Sequence, residues 1–153
     1  MLFNDKVFIG KLLSIGSVIT LLIVTPSTSL DPINVPKFAV LAFIGAISLS
    51  LIIRNFKEVR KVENRTLIVS GGIFLVALLS AFVTSDMNPM IQLFGVNGRN
   101  TGLITYASLL ILFLAAARLT TKGFETSYSR ALLVAGIASI GYGLLQSFDL
   151  KDT

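Results

Sequence analysis

The sequence predicts an all-α fold, a polytopic bundle of about five membrane-spanning helices whose N-terminus lies in the cytoplasm. Three observations predict it. Charged residues make up only 14% of the 153 residues, where a soluble domain has roughly 25%, and the mean hydropathy is +0.83. The apolar residues are concentrated in long runs, and the basic residues are concentrated in alternate connections between these runs. So few charges cannot cover the surface of a water-soluble fold of this size.

Each apolar run is a predicted spanning helix. The runs cover about residues 8–24, 38–53, 67–83, 102–117 and 131–146, close to the ~17–25 residues that a spanning helix needs. Inside lipid the backbone must satisfy its own hydrogen bonds, and a helix does so within one segment. The first run also has the basic start and apolar stretch of a signal peptide. Because further runs follow it, we interpret it as an uncleaved helix.

The basic residues predict how these helices are oriented. With the N-terminus in the cytoplasm, ten of the 13 Lys and Arg residues lie on the inner side and three on the outer side, as the positive-inside rule favours. The connections 54–65 and 118–130 are then cytoplasmic, and the connections 25–37 and 84–101 face outward. The C-terminal stub has no obvious terminal structure. We therefore expect residues 1–153 to be a single transmembrane domain, the N-terminal portion of a longer protein.

The composition also excludes several kinds of chemistry. The chain has no cysteine and no histidine, so it offers no disulfide, no thiolate metal site and no histidine base or metal ligand. No metal or other cofactor is expected. The net charge of +5 comes from basic residues that lie between the apolar runs and form no groove interleaved with aromatic residues. We therefore expect these residues to set the membrane topology and not to bind nucleic acid.

The outward connection before the fourth helix contains the best candidate for a binding site. The apolar residues of 90–94 predict a short segment lying at the outer interface, and Gly95, Gly98 and Gly102 permit tight turns. Arg99 is the only cation of this connection and lies at the N-terminal end of the fourth helix, where free N–H groups favour an anion. Together they suit a phosphate group of a lipid-linked substrate. The alternative is that Arg99 reaches lipid headgroups or caps loop carbonyls.

Lys37 is the second candidate binding residue. It lies at the predicted membrane edge, just before the second helix. It either anchors that helix at the interface or approaches the same anion as Arg99. No catalytic residue is predicted, because no base accompanies any of the serines in the helices.

A family resemblance rests on the same outward connection. The segment Leu93 to Tyr106, LFGVNGRNTGLITY, resembles the G-x-x-G-R-x-x-G-L-x-x-Y stretch found before a helix in many O-antigen ligase/polymerase-like membrane proteins. The segment Asp31 to Lys37 is similar to the D…PK stretch that leads into their second helix. Residues 131–146 are similar to their fifth helix.

The resemblance implies a role in bacterial cell-surface polysaccharide biosynthesis. Proteins of this family move or join glycans carried on undecaprenyl pyrophosphate at the outer face of the bacterial inner membrane, without a metal. Their catalytic His lies in a large outward loop beyond the fifth helix, and this chain has no His. The resemblance thus implies a part of such a glycosyltransferase that is inactive alone, with the lipid bilayer and an undecaprenyl-pyrophosphate-linked glycan as partners. Arg99 carries over as an accessory contact to the pyrophosphate.

Two other functions remain open. A transporter or permease segment would show inverted repeats and interrupted helices at mid-membrane, and the sequence shows neither a repeat nor a proline in the middle of a run. A small structural membrane protein would assemble through faces of small residues. Ala135, Ser139 and Gly143, which recur at a spacing of four, form such a face on the fifth predicted helix.

Overall fold

The computed structural model describes residues 3–23, 34–60, 65–96 and 99–149, and all regular structure in these ranges is helical. The all-α prediction is therefore confirmed. The helices are α1 (Phe3–Leu22), α2 (Asn34–Arg54), α3 (Phe56–Val59), α4 (Arg65–Thr84), α5 (Pro89–Phe94), α6 (Leu103–Leu119) and α7 (Phe124–Asp149).

Each of the apolar runs coincides with one of the long helices α1, α2, α4, α6 and α7. The observed helices are mostly longer than the runs, because polar residues can continue a helix whose apolar part is already formed. The difference is largest for α7, which begins at Phe124 and not near residue 131. The connection predicted at 118–130 is therefore only the short segment 120–123, and α3 occupies part of the connection predicted at 54–65.

Two of these helices, α2 and α4, are long and apolar enough to cross a membrane. α4 has 20 residues, a mean hydropathy of 2.4 and no buried residue in its apolar window. At 1.5 Å per residue such a helix is about 30 Å long, which matches the hydrocarbon thickness of a bilayer. α6 is also apolar but has only 17 residues. These helices support the prediction that the chain is a membrane protein.

α6 is the centre of the bundle and packs against α1, α2, α4 and α5. α2 and α6 run parallel: Gly45 lies against Ser108, and further along the two helices Leu51 and Leu119 share one buried cluster. α1 runs antiparallel to α2, since Gly16 lies against Ile44 and the earlier residues of α1 join the cluster at Leu51.

The two remaining long helices lie at the edges of the bundle. α7 packs along α1 in the same direction: Gly10 lies near Phe124, and the Ser17 hydroxyl donates a hydrogen bond to the Tyr128 hydroxyl at 3.1 Å. α4 packs along α6 in the opposite direction, because Gly71, near its start, lies against Leu114, near the end of α6. Successive long helices therefore alternate in direction along the chain.

Because the long helices alternate in direction, the cations of the described residues fall into two groups, one at each end of the bundle. α1, α4 and α7 begin at one end, where α2 and α6 finish, and we call it the basic end. Its cations among the described residues are Lys6, Lys11, Arg54, Lys57, Arg60, Arg65, Arg118, Lys122 and Arg130. The opposite end, where α2 and α6 begin, carries Lys37 and Arg99.

The best-buried cluster lies towards the basic end. It combines residues of α1, α2, α3 and α6, namely Ile9, Leu13, Leu51, Ile52, Val59, Ala115 and Leu119. Asn55, between α2 and α3, is buried, and its Nδ2 donates a hydrogen bond to the Leu51 carbonyl at 3.0 Å. The Asn55 backbone amide donates to the same carbonyl at 3.0 Å, so the side-chain bond gives the buried Asn55 amide group a partner. The chain can therefore turn there and lay Val59 on the cluster.

The close contact between α2 and α6 generates a test of this packing. A Cβ atom at Gly45 would lie 3.0 Å from Ser108 Cβ and 3.3 Å from Ser108 Cα. We expect Gly45→Leu to destabilise the bundle by about 1–3 kcal/mol, because overpacking forces the helices apart. Thermal unfolding in detergent measures the effect. Gly72→Leu is the matched control, because a Cβ at Gly72 of α4 meets nothing within 4 Å. Equal melting temperatures for the two variants would contradict this packing.

Candidate anion site at the start of α6

The segment that leads into α6 is held in place by its own polar groups. Asn88 caps α5: its Oδ1 accepts a hydrogen bond from the Met90 N–H at 2.9 Å, and Pro89 follows in the first turn. The Gln92 Nε2 donates to the carbonyls of Ser85, at 3.0 Å, and Met87. Side chains thus replace water as partners of the backbone, which fixes α5 relative to the end of α4. The short segment predicted at 90–94 is a distinct helix, and its location at the outer interface stays a prediction.

Two glycines of the segment permit a close backbone contact. Gly95 ends α5 with φ 88°, a conformation that side chains disfavour. A Cβ at Gly95 would collide with the Thr101 amide nitrogen, and a Cβ at Gly102 would collide with the Leu93 carbonyl. The C-terminal end of α5 therefore lies directly on the residues before α6. Glycine is required at both positions because a side chain would not fit there. Gly98 lies outside the described residues.

Arg99 lies in the turn between these two glycines. Its amide and that of Asn100 donate to the Val96 carbonyl at 3.0 and 3.1 Å, and its side chain is exposed. Asn100 adopts φ 48°, and its carbonyl accepts a hydrogen bond from the Thr105 hydroxyl. This turn fixes the backbone of Arg99 and leaves its guanidinium accessible to a ligand.

The start of α6 itself has no side-chain cap. Gly102 occupies the N-cap position and offers no hydrogen bond from a side chain. Its carbonyl accepts from the amides of Thr105 and Tyr106 at 3.1 and 3.3 Å, which leaves the first amides of the helix without a side-chain acceptor. Such amides and the helix dipole favour an anion. Arg99, with its exposed side chain, is thus followed within a few residues by an uncapped helix start.

Lys37 lies at the same end of the bundle as Arg99. It is in the first turn of α2 and half-buried. The next residue, Phe38, packs edge-on against Phe94 of α5 with ring centroids 6.0 Å apart. This aromatic contact brings the start of α2 beside α5. The residues from Asp31 to Ile33 that precede α2 in the family resemblance lie outside the described residues.

A small cleft at the start of α6 was not foreseen from the sequence. It has a volume of about 190 Å³ and lies between α4, α5 and the start of α6. Its polar lining consists of Ser85, Gln92, Thr101 and Tyr106. The Gln92 Oε1 and the Asn100 Nδ2 are enclosed and make no hydrogen bond with the described residues. The one sequence signal for this cleft is Gln92, a polar residue inside an otherwise apolar segment.

The polar groups that line the cleft are hydroxyls and one carboxamide. Neither a carboxylate nor a basic side chain is among the residues that line the cleft, and the chain has no His or Cys. Within the described ranges, no three acidic, His or Cys residues lie close enough to hold a metal ion.

Gly102 allows a test of the contact between α5 and α6. We expect Gly102→Val to push α5 away from the start of α6, because a side chain there would meet the Leu93 carbonyl. Limited trypsin digestion in detergent measures this through the rate of cleavage after Arg99, which should rise at least several-fold. Gly141→Val on α7 is the control, since nothing lies within 4 Å of a Cβ there. An unchanged rate in Gly102→Val would mean that the contact does not hold the segment.

Comparison with protein-family models, with curated proteins and with solved structures finds no match to this chain.

Proposed function

We propose that this chain is the N-terminal, membrane-embedded portion of an O-antigen ligase/polymerase-like protein of the bacterial inner membrane. In this proposal Arg99, together with Lys37, contacts the pyrophosphate of an undecaprenyl-linked glycan at the outer face. The observation that carries it is the exposed Arg99 guanidinium beside the uncapped start of α6. The family resemblance of the segment 93–106 supplies the substrate class.

The exposed apolar surface supports five membrane-spanning helices. Besides α2 and α4, the outer helix α7 has Leu133, Ile137 and Ile140 exposed by 63%, 62% and 66%. α1 and α7 have 20 and 26 residues, so each is at least about 30 Å long. Helices of this length with apolar residues facing outward are stable in lipid and unfavourable in water.

The distribution of cations supports a cytoplasmic N-terminus. The basic end carries most of the Lys and Arg residues, and the opposite end carries Lys37 and Arg99. By the positive-inside rule the basic end faces the cytoplasm. α5 and the start of α6 then face outward, on the side where lipid-linked glycans are transferred in the proposed family.

α5 supports the placement of Arg99 at the level of phosphate groups. Met90, Ile91 and Phe94 are exposed by 66%, 42% and 42% on this short helix. Apolar side chains at the end of a membrane bundle favour the boundary between headgroups and acyl chains. Immersion of α5 there would hold Arg99 against phosphate oxygens, which a guanidinium binds through paired charge-assisted hydrogen bonds. Catalysis requires a base from another part of the protein.

A role in assembly is the second candidate function. Gly136, Gly141 and Gly143 of α7 have open space where a Cβ would stand, and α7 packs mainly on α1. Such a face allows close approach of another helix. An oligomer that persists in mild detergent and dissociates in Gly141→Leu would favour the structural role. A monomer would leave the glycan role as the better account.

Membrane orientation can be tested with single cysteines, because the chain has none of its own. We expect Met90→Cys on α5 to react with a membrane-impermeant maleimide in intact spheroplasts, and Arg60→Cys after α3 to react only after permeabilisation. Met90 is exposed by 66%, and Arg60 is exposed as well, so both thiols are accessible to reagent. Labelling of both cysteines from the same compartment would contradict the orientation.

The pyrophosphate contact can be tested with Arg99→Ala in the full-length protein. Loss of a charge-assisted contact worth roughly 1.5–3 kcal/mol predicts about ten-fold or greater loss of glycan transfer. Cell-surface glycan is measured at equal protein abundance in the membrane. Arg99→Lys should retain part of the activity, and Lys57→Ala at the basic end should retain all of it. Unchanged surface glycan in Arg99→Ala would refute the role.

A further inference from the structure

A second polar cavity lies at the basic end, away from the proposed glycan site. It has a volume of about 300 Å³ and separates one face of α1 from the connection between α6 and α7. On α1 it is lined by Val7, Gly10, Lys11, Ser14 and Ile15. On the other side it is lined by the segment 121–124 and by Ser127. Its position between two elements makes it a cleft with walls and not a flat patch of charge.

The N-terminus of the longest helix forms one wall of this cavity. Gly123 precedes α7 with φ 87° and has no side-chain oxygen to cap the helix. The Phe124 amide donates to the Thr121 carbonyl at 3.1 Å, and the Ser127 amide donates to the Gly123 carbonyl at 3.3 Å. The residues at the start of α7 that line the cavity are Gly123, Phe124 and Ser127, so the positive end of the helix dipole lies at its wall.

Two lysines and a serine complete the cavity. Lys11 comes from α1 and Lys122 from the connection before α7, and both side chains are exposed. The Ser14 hydroxyl, one turn after Lys11, is enclosed and makes no hydrogen bond with the described residues. A hydroxyl in this state can donate to an anion in the cavity. Two cations, an unpaired hydroxyl and a helix N-terminus therefore converge from separate elements.

The nearest acidic residue of α7 faces a different space. Glu125 is in the first turn of the helix, but it lines another cavity together with Thr126, Ser129 and Arg130. The residues that line the cavity between α1 and the start of α7, which we call the lysine cavity, carry two positive charges and no negative charge. Their combined field therefore attracts anions.

We propose that this cavity binds a phosphate group, and that its natural ligand is the headgroup of an anionic phospholipid. The positive charges and the helix N-terminus suit a phosphodiester. Ile15 adjoins the cavity and is exposed by 58%, so it can contact the acyl region of the same lipid. Such a lipid would add a second polar link between α1 and α7, besides the hydrogen bond between Ser17 and Tyr128. The proposal does not depend on the glycan role, because the two sites lie at opposite ends of the bundle.

Native mass spectrometry of the full chain in detergent, with phosphatidylglycerol or phosphatidylcholine added, tests the proposal. We expect one phosphatidylglycerol to be retained per chain and phosphatidylcholine to be lost. The affinity for phosphatidylglycerol should fall at least ten-fold in the double variant Lys11→Gln with Lys122→Gln, and should survive in Lys11→Arg with Lys122→Arg. The control is Lys57→Gln with Arg60→Gln, which removes two exposed cations of the same end from outside the cavity.

A second experiment identifies the source of the phosphate. Inorganic phosphate is added to lipid-free protein at constant ionic strength, and the melting temperature is measured. A rise that the glutamine double variant abolishes would assign the cavity to a soluble phosphate compound. Retention of phosphatidylglycerol without such a rise would assign it to the lipid. The proposal is overturned if neither ligand depends on Lys11 and Lys122, or if the control variant loses binding equally.

Discussion

The structure depends on surroundings that keep the apolar surfaces of its helices away from water, because the chain itself does not cover these surfaces. α4 shows this most clearly, because it packs mainly on α6 and leaves Ile73, Val76 and Val83 exposed by 66%, 67% and 79%. Full burial of one such side chain stabilises a protein by about 1.5–3 kcal/mol. Three such side chains left in water therefore forgo a free energy comparable with the ~5–15 kcal/mol that stabilises a typical domain. A bilayer removes this cost, and the helices then need only modest contacts with one another.

The contacts that do exist are concentrated along α6. Gly45 of α2 and Gly71 of α4 bring these helices close to α6, and Ser48, which is fully buried, occupies the same side of α2. Small residues serve this purpose in lipid, where helices associate through close packing and not through the hydrophobic effect. The bundle is accordingly tight around α6 and open at α4 and α7. The cleft beside α5 lies at the start of α6, and the lysine cavity lies at the start of α7.

The helices could be predicted from the sequence because their apolar runs are long and the connections are polar. The start of α7 could not, because Phe124 to Arg130 includes Glu125, Thr126, Ser127 and Ser129, which read as a connection in hydropathy alone. Arg99 was predictable as an isolated cation before a helix. The contact of Gly102 with the Leu93 carbonyl was not, because two backbones meet there and no side chain records it. The lysine cavity also requires three dimensions, since Lys11 and Lys122 are far apart in the chain.

The central claim is that the chain resides in a lipid bilayer. Alkaline carbonate extraction of cell membranes, followed by sedimentation of the purified chain with and without detergent, tests it most directly. The account predicts that the chain stays with the membrane pellet after carbonate treatment and remains dispersed only when detergent is present. Release into the carbonate supernatant, together with a monodisperse monomer in detergent-free buffer, would contradict it.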